Sequence, residues 1–283
     1  MRDIYFGGGM LGLAALAIAG YVLRSLTVGR ARHERVEGDG GSPLMHKSIM
    51  EIGFWVAEPI VSLLAALRMT PNMVTLLSLV PALGAAVASG NGWFGLAAGL
   101  GVLSTLCDVL DGLLARRLGI SSDAGEVIDA SVDRYVEFLF LAGITFYYRT
   151  SPVMLILGLA AIFGSYTVSY TTAKAEAMGV KPPRGVMRRA ERGFYTLFAA
   201  AFTSVTHAVF PETTTFLLRD LPMLLMLSLV GGATNVSAPL RLRAVMAALR
   251  EKEAAATQGV SPRAGTAAPG HVSAEPARPA QPV

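Results

Sequence analysis

Asp108-Val-Leu-Asp111-Gly112-Leu-Leu-Ala115-Arg116, followed after eight residues by Gly125-Glu-Val-Ile-Asp129-Ala-Ser-Val-Asp133, is the most informative stretch of this chain. Upstream of it, no residue between Arg68 and Asp108 is charged. That run is too long for one crossing of a hydrocarbon core about 30 Å thick, which needs roughly 20 residues of helix. It is broken at Ser89-Gly90-Asn91-Gly92, so it reads as a helical hairpin whose second arm ends in the first two acids. Asp108 and Asp111 are three residues apart and Asp129 and Asp133 four apart, which puts each pair on one face of its helix. A short turn between the helices brings the two faces together at a membrane boundary.

Four clustered carboxylates repel one another and resist ionisation unless a cation is present. Hard oxygen donors without His or Cys favour magnesium or manganese. Two divalent ions held by carboxylates suit displacement at phosphorus, one activating the nucleophile and one neutralising the leaving group. Gly112 and Ala115 leave the helix face bare, so that a phosphate can approach closely. The plainer reading has the acids capping helices or pairing with Arg116, Arg117 and Arg134. That serves for a single Asp better than for four at helical spacing.

The rest of the chain fits a membrane frame. It has 283 residues, 53% hydrophobic and 16% charged, against about 25% charge in a soluble domain. Mean hydropathy is +0.51. Charges fall in bursts between uncharged runs, which argues against a water-soluble enzyme and for a polytopic membrane protein. Six core spans are expected at about 72–89, 93–116, 126–148, 152–176, 193–210 and 221–245. Before them, Ile4 to Leu23 reads as an extra membrane helix within an N-terminal anchor (1–28), with its N-terminus outside. Residues 29–47 form a polar linker, and Ser48 to Leu67 has the pattern of an amphipathic helix lying at the interface. The main domain is expected over 48–250. Residues 251–283, rich in Ala, Pro and Gly, read as a disordered cytoplasmic tail.

With this layout, all of the 24 Lys and Arg except Arg2, Arg134, Arg149 and Arg219 lie on one side, which is then the cytoplasm. The net charge of +4 is explained by those basic loops and anionic headgroups, and no recognition motif points to nucleic acid. The lone Cys107 excludes a disulfide framework. His33, His46, His207 and His271 have no metal-ligand spacing.

Asp-x2-Asp-Gly-x2-Ala-Arg-x8-Gly-x3-Asp-x3-Asp, met at every position here, resembles the signature of the CDP-alcohol phosphatidyltransferases. The resemblance extends over roughly 48–245 and includes Thr70-Pro71-Asn72-Met73-Val74-Thr75, which opens the first core helix. It implies an all-α integral membrane fold, six transmembrane helices around a cytoplasm-facing polar cavity in the inner (cell) membrane, usually as a homodimer. It implies transfer of a phosphatidyl group from CDP-diacylglycerol to an alcohol, with release of CMP and two divalent cations, magnesium or manganese. By the same resemblance Gly112, Ala115, Arg116 and Gly125 hold the CDP moiety, Asp108, Asp111 and Asp129 hold metal, and Asp133 is a ligand and the base.

The acceptor is suggested by a second set of residues. Asp129-x-Ser-x-x-Asp133-Arg134, Ser169-Tyr-x-x-Ala173-Lys174-Ala-Glu176 and Arg188-Arg189-Ala-Glu191-Arg192 resemble elements of the phosphatidylinositol phosphate synthases. Lys174, Arg189 and Arg192 at one mouth of the cavity are suited to a phosphate on the acceptor, which inositol phosphate presents. This chain departs from that subgroup at Arg188, where Glu is frequent, and in the last span, which offers Thr234, Ala238, Arg241 and Arg243 in place of Thr-x-x-Gln-Arg. Phosphatidylglycerophosphate synthases usually carry Asp-Pro-x-Ala-Asp-Lys where this chain has Asp129-Ala-Ser-Val-Asp133-Arg134. A transporter or a non-catalytic lipid-binding protein is the alternative from another class. A transporter is expected to bury charge near mid-membrane or to show paired broken helices, and these span midpoints are uncharged.

Overall fold

The computed structural model describes residues 2–27, 29, 47–120, 122–181 and 187–257. Ten helices account for almost all of them: α1 (Arg2–Thr27), α2 (Lys47–Ala66), α3 (Pro71–Leu77), α4 (Leu79–Gly90), α5 (Phe94–Leu118), α6 (Asp123–Tyr147), α7 (Pro152–Ala177), α8 (Arg189–Val209), α9 (Phe216–Arg219) and α10 (Leu221–Thr257). There is no strand among the described residues. Most of the expected linker and tail (30–46 and 258–283) falls outside them. Residues 251–257, expected to belong to the tail, instead continue α10 as helix.

Helix boundaries follow local chemistry. The Thr70 side chain caps α3 by accepting from the Met73 N–H, and Pro71 occupies the first turn, where its missing donor costs nothing. Pro81 cannot donate back to Leu77, and the span is interrupted at Ser78, separating α3 from α4. Ser104 of α5 donates 2.9 Å to the Ser78 carbonyl at this break, so the buried kink keeps its polar group satisfied. α5 ends on Gly119 at φ +66°, and Ser122 caps α6 by accepting from the Gly125 N–H at 3.1 Å. The connection between the two acid-bearing helices is thus only a few residues long.

Five segments are long and apolar enough to cross a membrane: Asp3–Thr27, Pro71–Gly90, Phe94–Leu118, Pro152–Ala177 and Leu221–Ala254. α6 and α8 complete the bundle but carry their charges in their N-terminal turns, as Asp123, Glu126, Asp129, Asp133, Arg134 and Glu137 on α6 and Arg189, Glu191 and Arg192 on α8. α4 packs between α5 and α6, α7 lies along α10, and α8 packs against α5 and α10. Since lipid is as apolar as Leu, close backbone approach is what favours such contacts. At Gly164 of α7, an added Cβ would stand 2.1 Å from Thr234 Oγ1 of α10, and at Gly143 of α6 it would stand 2.4 Å from the Ala86 carbonyl of α4. The core is accordingly built of small residues such as Ala85, Ala88, Ala97, Ala98 and Ala161 around Phe94, Ile144, Met154 and Leu227. Leu83, Val87, Ile156, Phe163 and Val236 point outward, as a lipid-facing surface requires.

α1 is not a loose anchor. It packs on α5 and α8, and the Asp3 carboxylate accepts from the Gly95 and Leu96 N–H groups, each at 2.9 Å, at the start of α5. A carboxylate at a helix N-terminus satisfies orphan donors and the helix dipole together. At the same end, Asp220 accepts from the Tyr148 hydroxyl at 2.5 Å and contacts His207 Nε2 at 2.8 Å, tying α6, α8 and α10. α2 crosses the opposite end of α5, where Ala57 and Val61 bury against Val74, Cys107, Leu110, Leu113 and Leu114.

Candidate active site

The last turns of α5 and the first turns of α6 meet at the end of the bundle opposite Asp3. Asp108, Asp111 and Asp129 each offer a carboxylate oxygen, and these atoms lie within 4.8 Å of one another. Asp111 is 5% exposed, and its Oδ2 accepts from the Thr75 hydroxyl of α3 at 2.5 Å. The break at Ser78 lets α3 lean on α5, so Thr75 orients this carboxylate beside those of Asp108 and Asp129. Three hard oxygen donors on two rigid helices, one braced from behind, fit magnesium or manganese by the chemistry of the donor set.

Asp133, one turn beyond Asp129, is directed elsewhere. Its carboxylate is in contact with the guanidinium of Arg189, the first residue of α8. The same guanidinium reaches Asp108 Oδ1 at 3.2 and 3.3 Å. Burial works against the Arg189 charge, but the Asp108 and Asp133 carboxylates outweigh it and hold its pKa above the usual arginine range.

One turn further along both helices a second pair forms. Arg192 Nε and Nη2 bind Glu137 Oε1 and Oε2 at 2.5 and 2.9 Å, and Nη1 donates to the Met187 carbonyl at 2.9 Å. Arg192 is 2% exposed. Its guanidinium is thus turned inward onto Glu137, a residue to which the sequence reading gave no role, and not toward an open mouth. Glu137 could have been found by its spacing, since Asp129, Asp133 and Glu137 repeat every four residues along one face of α6.

The other expected residues are distributed as follows. Gly112 and Ala115 are partly exposed on α5 beside the acids, and Arg116 is exposed in its last turn. Gly125 lies in the first turn of α6, where an added Cβ would stand 3.1 Å from Ser122 Oγ and 3.2 Å from Asn72 Oδ1. Lys174 is exposed in the last turn of α7. Arg241 of α10 is buried, with Nη1 donating to Thr172 Oγ1 of α7 at 3.1 Å. It lies in the electrostatic reach of Arg188, Glu191 and Arg192.

The model of the CDP-alcohol phosphatidyltransferase family matches residues 68–236, more than half of the chain. A curated relative from Cutibacterium acnes, named phosphatidylinositol phosphate synthase, is 29% identical over 186 residues, covering 64% of this chain and 88% of its own. Among solved structures, the Mycobacterium tuberculosis phosphatidylinositol phosphate synthase with CDP-DAG bound is similar at 27% identity and a TM-score of 0.56. The match covers 67% of this chain and 93% of that one. The same enzyme in complex with manganese and citrate gives 26% identity and a TM-score of 0.57, covering 67% and 88%.

Proposed function

The chain belongs to the CDP-alcohol phosphatidyltransferase family, a multi-pass membrane enzyme family that transfers a phosphatidyl group from CDP-diacylglycerol to an alcohol, and on that premise we propose that the acceptor here is inositol phosphate. The observation that carries the catalytic reading is the convergence of Asp108, Asp111 and Asp129 within 4.8 Å at one end of the bundle. The acceptor reading rests on the relatives named phosphatidylinositol phosphate synthase and on Arg189, whose guanidinium lies against Asp108 and Asp133.

The reaction begins with CDP-diacylglycerol placed across the membrane boundary, acyl chains in lipid and nucleotide in water. Gly112, Ala115 and Gly125 leave room for the CDP moiety, and Arg116 meets its phosphates. Asp108, Asp111 and Asp129 would hold the divalent metal, proposed as two magnesium ions, with manganese as the substitute. Divalent cations bound there supply charge that stabilises the phosphoryl oxygens and the departing CMP. Asp133 accepts the proton of the attacking hydroxyl, and the hydroxyl oxygen displaces CMP to form a phosphodiester. Lys174, Arg189 and Arg241 hold the acceptor phosphate through charge-assisted hydrogen bonds. Arg192 is engaged with Glu137 and the Met187 carbonyl and stands outside that group. The Lys- and Arg-rich loops at this end of the bundle support a cytoplasmic active site, and we propose that the protein works in the inner (cell) membrane as a homodimer.

Membranes containing the protein, incubated with CDP-diacylglycerol, magnesium and one acceptor each of inositol phosphate, inositol, glycerol phosphate and serine, test both levels. Inositol phosphate should give the phosphorylated lipid product and CMP, and EDTA should abolish both. Asp108→Asn, Asp111→Asn and Asp129→Asn should each be inactive while retaining the fold. Preference for another acceptor refutes the inositol phosphate assignment. Activity undiminished by EDTA, or full activity in two of the three variants, refutes the metal assignment.

A further inference from the structure

Asp108 is claimed from two sides. One of its carboxylate oxygens belongs to the group that it forms with Asp111 and Asp129, and its Oδ1 accepts from both Nη1 and Nη2 of Arg189. Arg189 also covers Asp133, the group assigned to take the hydroxyl proton. A guanidinium and a divalent cation on one carboxylate, in a partly dry site, repel each other strongly. The two occupants of Asp108 are therefore competitors.

Local structure makes Arg189 the member able to yield. It is the first residue of α8, and its side chain is 33% exposed, against 2% for Arg192 on the same helix face. Arg192 is fixed by four hydrogen bonds to Glu137, the Met187 carbonyl and Ser169. Among the described residues, the Arg189 guanidinium donates hydrogen bonds to the two acids alone.

We propose that Arg189 is the internal counter-cation of the metal-free acid cluster and that it changes partners during the cycle. When Asp108, Asp111 and Asp129 engage a divalent ion, the guanidinium leaves Asp108 and Asp133 and takes the phosphate of the acceptor. The exchange rests on the metal and phosphate roles assigned above. It has a consequence those roles lack: metal and acceptor binding become mutually favourable, because each removes the obstacle to the other, and such coupling is reciprocal.

Binding without turnover tests this. The purified full-length protein in detergent is titrated with manganese, read by the resonance of the free aquo ion, with and without inositol 1-phosphate. In the wild type the phosphate should tighten manganese binding about five- to tenfold. Arg189→Gln should bind manganese about tenfold more tightly than wild type in the absence of phosphate and gain nothing further when it is added. Arg117→Gln, which removes a charge paired with Ser62 and Glu58 on α2, should behave as wild type in both respects. Circular dichroism checks that each variant is folded, and Arg189→Lys, which retains a charge without the fork, should fall between wild type and Arg189→Gln. Unchanged affinity in Arg189→Gln, a phosphate effect that survives in it, or an equal gain in Arg117→Gln overturns the exchange and leaves the metal site standing. No manganese binding by the wild type, or binding undiminished in Asp111→Asn, overturns the metal site and the exchange with it.

Discussion

Replacement of Arg192 separates a structural role from a substrate-binding one. Its guanidinium is 2% exposed and faces a Glu137 side chain that is itself 11% exposed, with two nearly parallel hydrogen bonds of 2.5 and 2.9 Å. Arg192→Met removes the fork while retaining most of the apolar stem, and leaves the Glu137 carboxylate and the Met187 carbonyl without that donor. Breaking a buried pair from one side costs about 3 to 5 kcal/mol, most of it from the stranded partner. Glu137→Met alone should cost a similar amount. Arg192→Met/Glu137→Met should recover most of the loss, since replacing both members with apolar groups is close to neutral.

The assay is reversible unfolding in mixed micelles, with a double-mutant cycle giving the coupling between the two sites. A coupling of about 2 kcal/mol or more between the two sites is expected. If Arg192→Met changes stability by less than about 0.5 kcal/mol and raises only the acceptor KM, the inward-facing pair has no structural weight. Arg192 then belongs directly to the acceptor site.

Three further outcomes follow from the geometry. Thr75→Val deletes the hydroxyl that holds Asp111, and should weaken metal affinity about 10- to 100-fold with little change in unfolding; equal manganese affinity in the two proteins refutes the orienting role. Asp133→Asn should lower turnover by orders of magnitude while retaining binding of CDP-diacylglycerol, and binding that falls in proportion to turnover refutes its assignment as base. Asp3→Ala removes the cap on Gly95 and Leu96 at the far end of the bundle, and should cost about 1 kcal/mol of stability without altering either substrate KM; a KM change would show that α1 communicates with the site.

The spans and the acid pairs were legible because each depends on a single period. An apolar run broken at Asn91-Gly92 and closed by Gly119 specifies its hairpin locally, and acids three or four apart must share a helix face wherever the helix goes. Local chemistry also marked the interruption at Ser78, through Pro81, although the sequence reading treated 72–89 as one span. The extension of α10 to Thr257 was missed because a polar segment of Ala, Glu and Lys has no apolar period; α10 enters the segment already helical, and Lys252 donates to the Met178 carbonyl at 2.9 Å to tie it to the end of α7.

Partner choice among the charges was illegible for a different reason. Arg189 and Arg192 are three apart on α8, and Asp133 and Glu137 are four apart on α6, so both sets form stripes of nearly equal rise. Sequence shows the two stripes and cannot say that they face each other, since that depends on α8 entering the bundle with its first turn level with the second turn of the α6 acids. Once the stripes meet, the rungs pair in order, Arg189 with Asp133 and Arg192 with Glu137. The rungs differ at their arginines: Arg192 is 2% exposed and held by Glu137, whereas Arg189 is 33% exposed and shared between Asp133 and Asp108, where a cation can compete. The division between a fixed and an exchangeable arginine therefore follows the burial of the arginines themselves, three residues apart on α8. Moving the basic pair one turn toward the mouth would leave Glu137 with Arg134, 3.7 Å away on its own helix, in place of the two-pronged contact with Arg192.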